Sequence, residues 1–386
     1  MRLPRKLLNI CALGAIGLAI SATVHADEIK IGYISTMSGP GSSLGIPYAK
    51  GLEAGVKFKS EVAGHKLKVI ALDDASDPSA AARNARKLVD EDKVDVLFGA
   101  AITPSTMSAA GVSRETMTPM IAFSPVNLPG EQGAWLVTTA QPVGLMIDAL
   151  VENMKKRNFK AVAYIGFSDS WGDLVYDGLM KSAASAGIKV LTNERYARTD
   201  SSVAGQVLKV IASHPDAIVT GVSGTPGALP FLALAERGYK GQIYGLHSMI
   251  NPDFVRVAGA SAQGLIAPAG PVIVADQLPD NAPTKKMAMD FRATFQKTHN
   301  TPTTDPFSAY AFDAVQVLAD AIERVPASIK PGTPAYRTAL RDAIYQSKNL
   351  VGTHGIYSFK PGNTYGVDER ARVLVRLDKG AWVLQP

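Results

Sequence analysis

Short apolar runs alternate with longer stretches of helical spacing along almost the whole chain. Residues 28–36 (EIKIGYIST) alternate and then enter a glycine- and serine-rich loop, which predicts a strand, a turn and a helix over 48–63. Strand patterns recur at 67–72, 94–101 and 119–124. Between them, Asp77-Pro78 and Thr103-Pro104 put a capping residue and a proline where helices begin. The alternation then restarts, with strands expected at 161–168, 188–191, 217–223 and 242–246 and helices over 172–186, 202–213 and 226–237. After 264–268, helical stretches at 284–299, 306–324 and 334–347 lead to short strands at 371–377 and 382–384. Strands separated by helices of this length signal parallel βαβ units. Two successive series predict an α/β fold of two doubly wound, Rossmann-like lobes. No low-complexity linker separates them, so several short crossings are expected rather than one tether.

The first 26 residues break the pattern. Arg2, Arg5 and Lys6 precede an almost wholly apolar run from Leu7 to Ala22, and Val24-His25-Ala26 places small residues where a signal peptidase reads. The run is shorter than the roughly 20 residues that span a bilayer as a helix. A cleaved secretory signal over 1–26 is therefore expected, with Asp27 as the first mature residue and the periplasm as destination. The remaining chain of about 360 residues is large for one core and suits two domains. Cys11 is the only cysteine and lies within the expected signal. Disulfides, cysteine nucleophiles and thiolate metal sites are thereby excluded from the mature chain. Its place inside the apolar run, not at the end, argues against a lipid anchor. Three of the basic residues leave with the signal, so the net charge of +6 shrinks to a weak excess. With no basic block, nucleic acid is not an expected partner.

Candidate chemistry is sparse. Gly39-Pro-Gly41-Ser-Ser-Leu-Gly45 followed by Asp73-Asp74 has the outline of a dinucleotide fingerprint. Pro40 between the glycines, and the placing of Gly39 after Ser35-Thr36-Met37-Ser38 and not directly at the strand end, favour a flexible rim loop instead. Gly221-Val-Ser-Gly-Thr225 misses a nucleophile elbow at its last position. His65, His214, His247, His299 and His354 form no H-x-x-x-H or H-E-x-x-H pair. Four of them are expected in solvated turns or helix ends; His247 differs in following a strand end. Asp73, Asp74 and Asp77 suit a helix cap and sheet edge better than a hard-cation site. No catalytic residue, metal or cofactor is expected. What remains are polar groups at carboxyl strand ends: Thr103 and Ser105, Ser124-Pro125-Val126-Asn127, Ser168 to Gly172 with Trp171, Ser223, and His247. Open α/β sheets bind ligands at that edge, and hydroxyls with free helix amides suit a carboxylate. Their recurrence in both series favours a ligand clamped in a cleft.

Taken together, Ile31-Gly32, Met37-Ser-Gly-Pro40 with Gly45, Lys50-Gly51, Leu72-Asp-Asp-Ala-Ser-Asp-Pro78, Phe98-Gly99, Ser105-Thr106, Ser170-Trp-Gly-Asp173 and Ala309-Tyr-Ala-Phe-Asp-Ala-Val-Gln316 carry a resemblance. In order and spacing the chain resembles the type I periplasmic solute-binding proteins of ABC importers, in the leucine/isoleucine/valine-binding branch. The resemblance implies two lobes joined by a three-crossing hinge: residues 27–140 with 272–356, and 141–271 with 357–386. It implies a monomer that hands ligand to a membrane permease and catalyses nothing. It places ligand contacts at Leu44, Ile102, Thr103, Pro125, Asn127, Trp171, Ser223 and His247. One departure stands out. Where amino-acid binders of the family put a carboxylate against the ligand ammonium, this chain has Leu246-His247-Ser248. A buried ammonium without an anion is costly, so a small carboxylate without an amino group, aromatic or otherwise, is the expected ligand. Asp169 or Asp305 could restore the missing anion, which keeps an amino acid as the second option. An exported α/β hydrolase and a ligand-presenting sensory subunit are the alternatives of other classes.

Overall fold

The structure, a computed structural model, describes residues 28–385; the expected signal at 1–26 lies outside the described residues. The first series builds β1 (Ile29–Ser35), α1 (Ser42–Phe58), β2 (Glu61–Val62), β3 (His65–Asp73), α2 (Pro78–Asp90), β4 (Val96–Gly99), α3 (Thr103–Glu115), β5 (Met120–Ala122) and β6 (Leu136–Thr138). They form a six-stranded sheet ordered β2-β3-β1-β4-β5-β6, parallel except for the β2–β3 hairpin. β1 is central and buried on both faces, as parallel strands covered by helices are. Ile29, Ile31 and Tyr33 join one apolar cluster, and Ile34 joins the other, with Leu88, Val94 and Leu97.

The second series builds α4 (Val143–Lys156), β7 (Ala161–Phe167), α5 (Ser170–Ala186), β8 (Lys189–Tyr196), α6 (Ala204–Ala212), β9 (Ala217–Gly221), α7 (Leu229–Glu236), β10 (Gln242–Tyr244), α8 (Pro252–Ala258) and β11 (Ile266–Ala269). The chain then adds α9 (Lys285–His299), α10 (Pro306–Ile322), α11 (Pro334–Ile344), β12 (Leu350–Val351), β13 (Ile356–Tyr357), β14 (Val373–Asp378) and β15 (Ala381–Gln385). The second sheet is ordered β15-β14-β11-β10-β9-β7-β8, parallel apart from the last two strands. α10 and α11 return to the first sheet, where Phe307, Tyr310, Val315 and Leu340 share a core with Ile31 and Phe98. The chain thus passes between the sheets three times.

Those passes meet in a buried polar knot. Gln141 Nε2 donates to the Ala371 carbonyl at 3.0 Å, and Gln141 Oε1 accepts from the Tyr310 hydroxyl. Tyr310 stacks on His354 with ring centres 3.8 Å apart. Asp313 accepts from the Thr353 and His354 amides and the Tyr357 hydroxyl, and Tyr357 also reaches the Thr139 carbonyl at 3.0 Å. Burial lifts the Asp313 carboxyl to about 6 and depresses His354 to about 3. His354 is therefore a buried neutral ring, correcting the expected solvated role. The expected boundary at 357 also falls too early: Tyr357 and Phe359 belong to the first lobe's core, and the Tyr365 hydroxyl bonds both backbone groups of Val126. The stretch from Val272 to Phe295 packs on α1 and α10 of one side and on Ala267 and Val375 of the other, so no sharp edge exists there.

Candidate functional site

Each sheet has one point where strand order reverses direction, β1 beside β4 in the first and β7 beside β9 in the second. Loops diverge there and leave a crevice at the carboxyl ends. The residues following these four strands face one another: Leu44 on α1, Ile102 and Thr103 at the start of α3, Trp171 on α5, and Ser223 after β9. With Tyr48, Ala101, Ser124, Pro125, Arg198, His247, Ser248 and Phe307 they line one narrow cavity between the sheets.

The first-lobe wall is mostly apolar. Tyr48 sits one turn after Leu44 on α1, its hydroxyl donating to the Phe123 carbonyl at 2.9 Å and its ring meeting Phe307 edge-on. Thr103 donates its hydroxyl to the Pro125 carbonyl at 2.9 Å. That bond ties α3 to the loop after β5 and leaves the first amides of α3 to face an anion, as helix N-termini do. Ser105 is buried but does not line the cavity.

The second-lobe wall carries the charge. Arg198, in the loop after β8, is about one-tenth exposed. Its Nε donates to Asp169 Oδ2 at 2.6 Å and its Nη1 to Ser223 Oγ at 2.8 Å, while the guanidinium lies over the Phe167 ring at 4.1 Å. Asp169 is fully engaged, since its other oxygen caps α5 by accepting from the Trp171 and Gly172 amides. Accepting from Arg198 frees the Ser223 proton for another acceptor. Trp171 is fixed by its indole N–H to the Val222 carbonyl at 3.2 Å, and its ring meets His247 edge-on at 5.9 Å. Burial alone lowers His247 to about 4, so the ring is neutral, and its buried Nδ1 has no partner among the described residues. Among the described residues no aspartate or glutamate lines the cavity.

The structure brings Leu44, Ile102, Thr103, Pro125, Trp171, Ser223 and His247 together. Asn127 is exposed and does not line the cavity, because the loop after β5 turns outward once Val126 is buried. Asp305, considered as a partner for an ammonium, caps α10 through the Ser308 amide at 2.7 Å and lies in a different hollow, behind α8. Sequence reasoning missed Arg198, Tyr48 and Phe307. Tyr48 had a signal, its four-residue spacing from Leu44. Arg198 had none, standing alone in a polar loop. The expected flexible rim loop is instead pinned: Asp73 accepts from the Met37 amide and the Ser38 hydroxyl, and the Ser76 hydroxyl accepts from the Gly41 amide.

Across the cavity's edge the two lobes touch directly. Asn251 Nδ2 donates to the Ser43 carbonyl at 2.7 Å, and the Thr225 amide donates to Ser43 Oγ at 3.2 Å. Two α/β lobes meeting over a shared cavity, with the polar ends of both sheets turned inward, define a ligand-capturing protein of the hinged, two-lobed class. The chain belongs to the periplasmic binding protein family, type I, in the leucine/isoleucine/valine-binding branch: the family's sequence model matches residues 28–372. The Leu/Ile/Val-binding protein homolog 3 of Brucella melitensis is 25% identical over 366 residues, covering 92% of each chain. An extracellular ligand-binding receptor from Rhodopseudomonas palustris HaA2 is 41% identical, with a TM-score of 0.90 over 93% of this chain and 100% of that one. A solute-binding protein from R. palustris, solved in complex with benzoate, shares the fold at 22% identity, with a TM-score of 0.76 over 92% and 95% of the two chains. The chain is thus a substrate-binding protein of the branched-chain amino acid type of ABC transporter family.

Proposed function

We propose that this protein is exported by a signal over residues 1–26, works as a monomer, and delivers a small carboxylate without an α-amino group to the permease of an ABC importer. The observation that carries this reading is a cavity lined by a largely buried arginine and, among the described residues, by no acid. An α-amino acid brings an ammonium that would lie near Arg198, where Asp169 is already engaged by that guanidinium and the α5 amides, so it would be buried without an anion of its own, at a cost of several kcal/mol. A carboxylate meets the opposite conditions: the amides of α3, the Ser223 hydroxyl and the Arg198 guanidinium all donate. Trp171, Tyr48, Phe307 and the neutral His247 ring give flat apolar walls, which suit an aromatic acid. The benzoate held by the R. palustris solute-binding protein agrees with that preference, whereas the Brucella relative's name keeps branched-chain amino acids as the second reading. Native mass spectrometry of protein purified from the periplasm tests both parts at once. The expected spectrum shows a mature chain starting at Asp27 with a retained organic acid. A retained amino acid would sink the ligand class, and an intact Met1 terminus would sink the cleaved signal.

A further inference from the structure

Helix α1 carries a proline at position 47, within its second turn. In an α-helix the carbonyl of residue 43 accepts from the amide of residue 47, and a proline there has no proton to give. The Ser43 carbonyl is instead met from the other lobe, by Asn251 Nδ2 at 2.7 Å in a buried contact. The same Asn251 side chain caps α8, its oxygen accepting from the Phe254 amide at 3.0 Å, so the amide is held in place to donate. A second bond runs beside it, from the Thr225 amide to Ser43 Oγ. Gly224 makes the approach feasible: its φ is +60°, and a Cβ there would lie 2.6 Å from Ser43 Oγ. None of Ser43, Pro47, Gly224, Thr225 or Asn251 lines the ligand cavity, yet Leu44 and Ser223, their neighbours, do.

We infer that Pro47 and Asn251 form a latch that stabilises the closed lobe arrangement independently of ligand. Pro47 withholds the intrahelical donor, so lobe closure satisfies a carbonyl that helix α1 leaves open. The latch sets how much of the unliganded protein is closed. Apparent affinity follows that fraction when the closed form holds ligand best. Pro47 and Asn251 are positioning residues: they act on the lobes and not on the ligand.

The test needs no knowledge of the ligand, so its failure is separable from failure of the proposed function. Fluorophores are placed on Met117→Cys in one lobe and Leu208→Cys in the other, both on exposed side chains, with Cys11 replaced by serine. Single-molecule energy transfer then reads the closed-to-open ratio without ligand. Pro47→Ala supplies the missing helix donor, and Asn251→Ser keeps a capping oxygen for α8 while removing the amide. Each is expected to lower the closed-to-open ratio by about tenfold, with the Pro47→Ala protein melting no lower than the parent. Adding Asn251→Ser to Pro47→Ala is expected to change the ratio little further, because both remove one interaction. An unchanged ratio in both single variants, or fully additive losses in the pair, would overturn the latch. So would a Pro47→Ala protein that melts lower while its ratio stays put.

Discussion

At the residue scale the account rests on Arg198 and His247. Arg198 is held on three sides, by Asp169, Ser223 and the Phe167 ring. Arg198→Met therefore removes a pre-oriented donor and strands Asp169. Binding of an organic acid is expected to weaken about 100-fold, with a stability loss of about 2 kcal/mol. Arg198→Lys keeps the charge but not the fork, and should recover only part of the binding. Calorimetry and denaturant melts of both variants separate the two effects; full binding by the methionine variant would contradict the role given to the arginine. His247 makes a pH prediction. Its folded pKa of about 4 lies below its ordinary value of 6.5, so the folded protein holds fewer protons between those limits. The contribution of the neutral ring is complete above pH 6.5 and is lost as pH falls toward 4. Asp305 and Asp313, raised to about 6, act in the opposite sense over much of that window, so wild-type stability alone is a poor readout. The difference between wild type and His247→Gln isolates the ring. It should shrink on acidification from pH 6.5 to 4.5 by about 2 kcal/mol, whereas a pH-independent difference would mean the ring is not buried neutral.

At the element scale α1 does the most with the least obvious sequence. Its first turns contain Gly45 and Pro47, and composition alone reads that stretch as loop, which is why the helix was expected only from 48. The glycine is there for close approach: a Cβ on Gly45 would lie 1.8 Å from the Thr36 carbonyl oxygen. Gly51 has the same relation to the Ser308 carbonyl, at 1.9 Å, where α1 crosses α10. Gly45→Ala should destabilise the protein by about 3 kcal/mol and weaken ligand binding as well, since Leu44 moves with the helix start. A variant with unchanged melting would show that the loop after β1 yields freely. The acidic pair that imitates a ribose-binding motif is explained by the same geometry, because Asp73 fastens the loop that α1 springs from. Central strands such as β1 and β7 were legible because burial on both faces makes them almost wholly apolar. β6, with three residues, was too short to show a period, and α4 and α8 fell between the stronger patterns that were read.

At the scale of the whole molecule, position along a strand was the most informative feature of the sequence. Thr103, Trp171, Ser223 and His247 could be placed in one cleft because each follows a strand, and topology gathers strand ends; Leu44 came only with the family resemblance. What could not be read was any group whose role depends on an edge strand's outgoing loop, and Arg198 leaves from β8, at the sheet edge. The third crossing escaped for a different reason: Tyr357 and Tyr365 stay with the first lobe through hydroxyl bonds to Thr139 and Val126, which no local pattern announces. The buried knot of Gln141, Tyr310, Asp313 and His354 lies where the passes run and ties the first to the third through Gln141 and Ala371. Lobe closure should appear in small-angle scattering as compaction on adding ligand, and an identical profile at saturation would argue for a rigid cleft. The central claim, that the cavity selects an acid lacking an amino group, is tested most directly by paired calorimetric titrations with benzoate and leucine at neutral pH. The account predicts saturable one-to-one binding of benzoate, at least about 100-fold tighter than leucine and largely lost in Arg198→Met. Tight leucine binding with no heat from benzoate would contradict it.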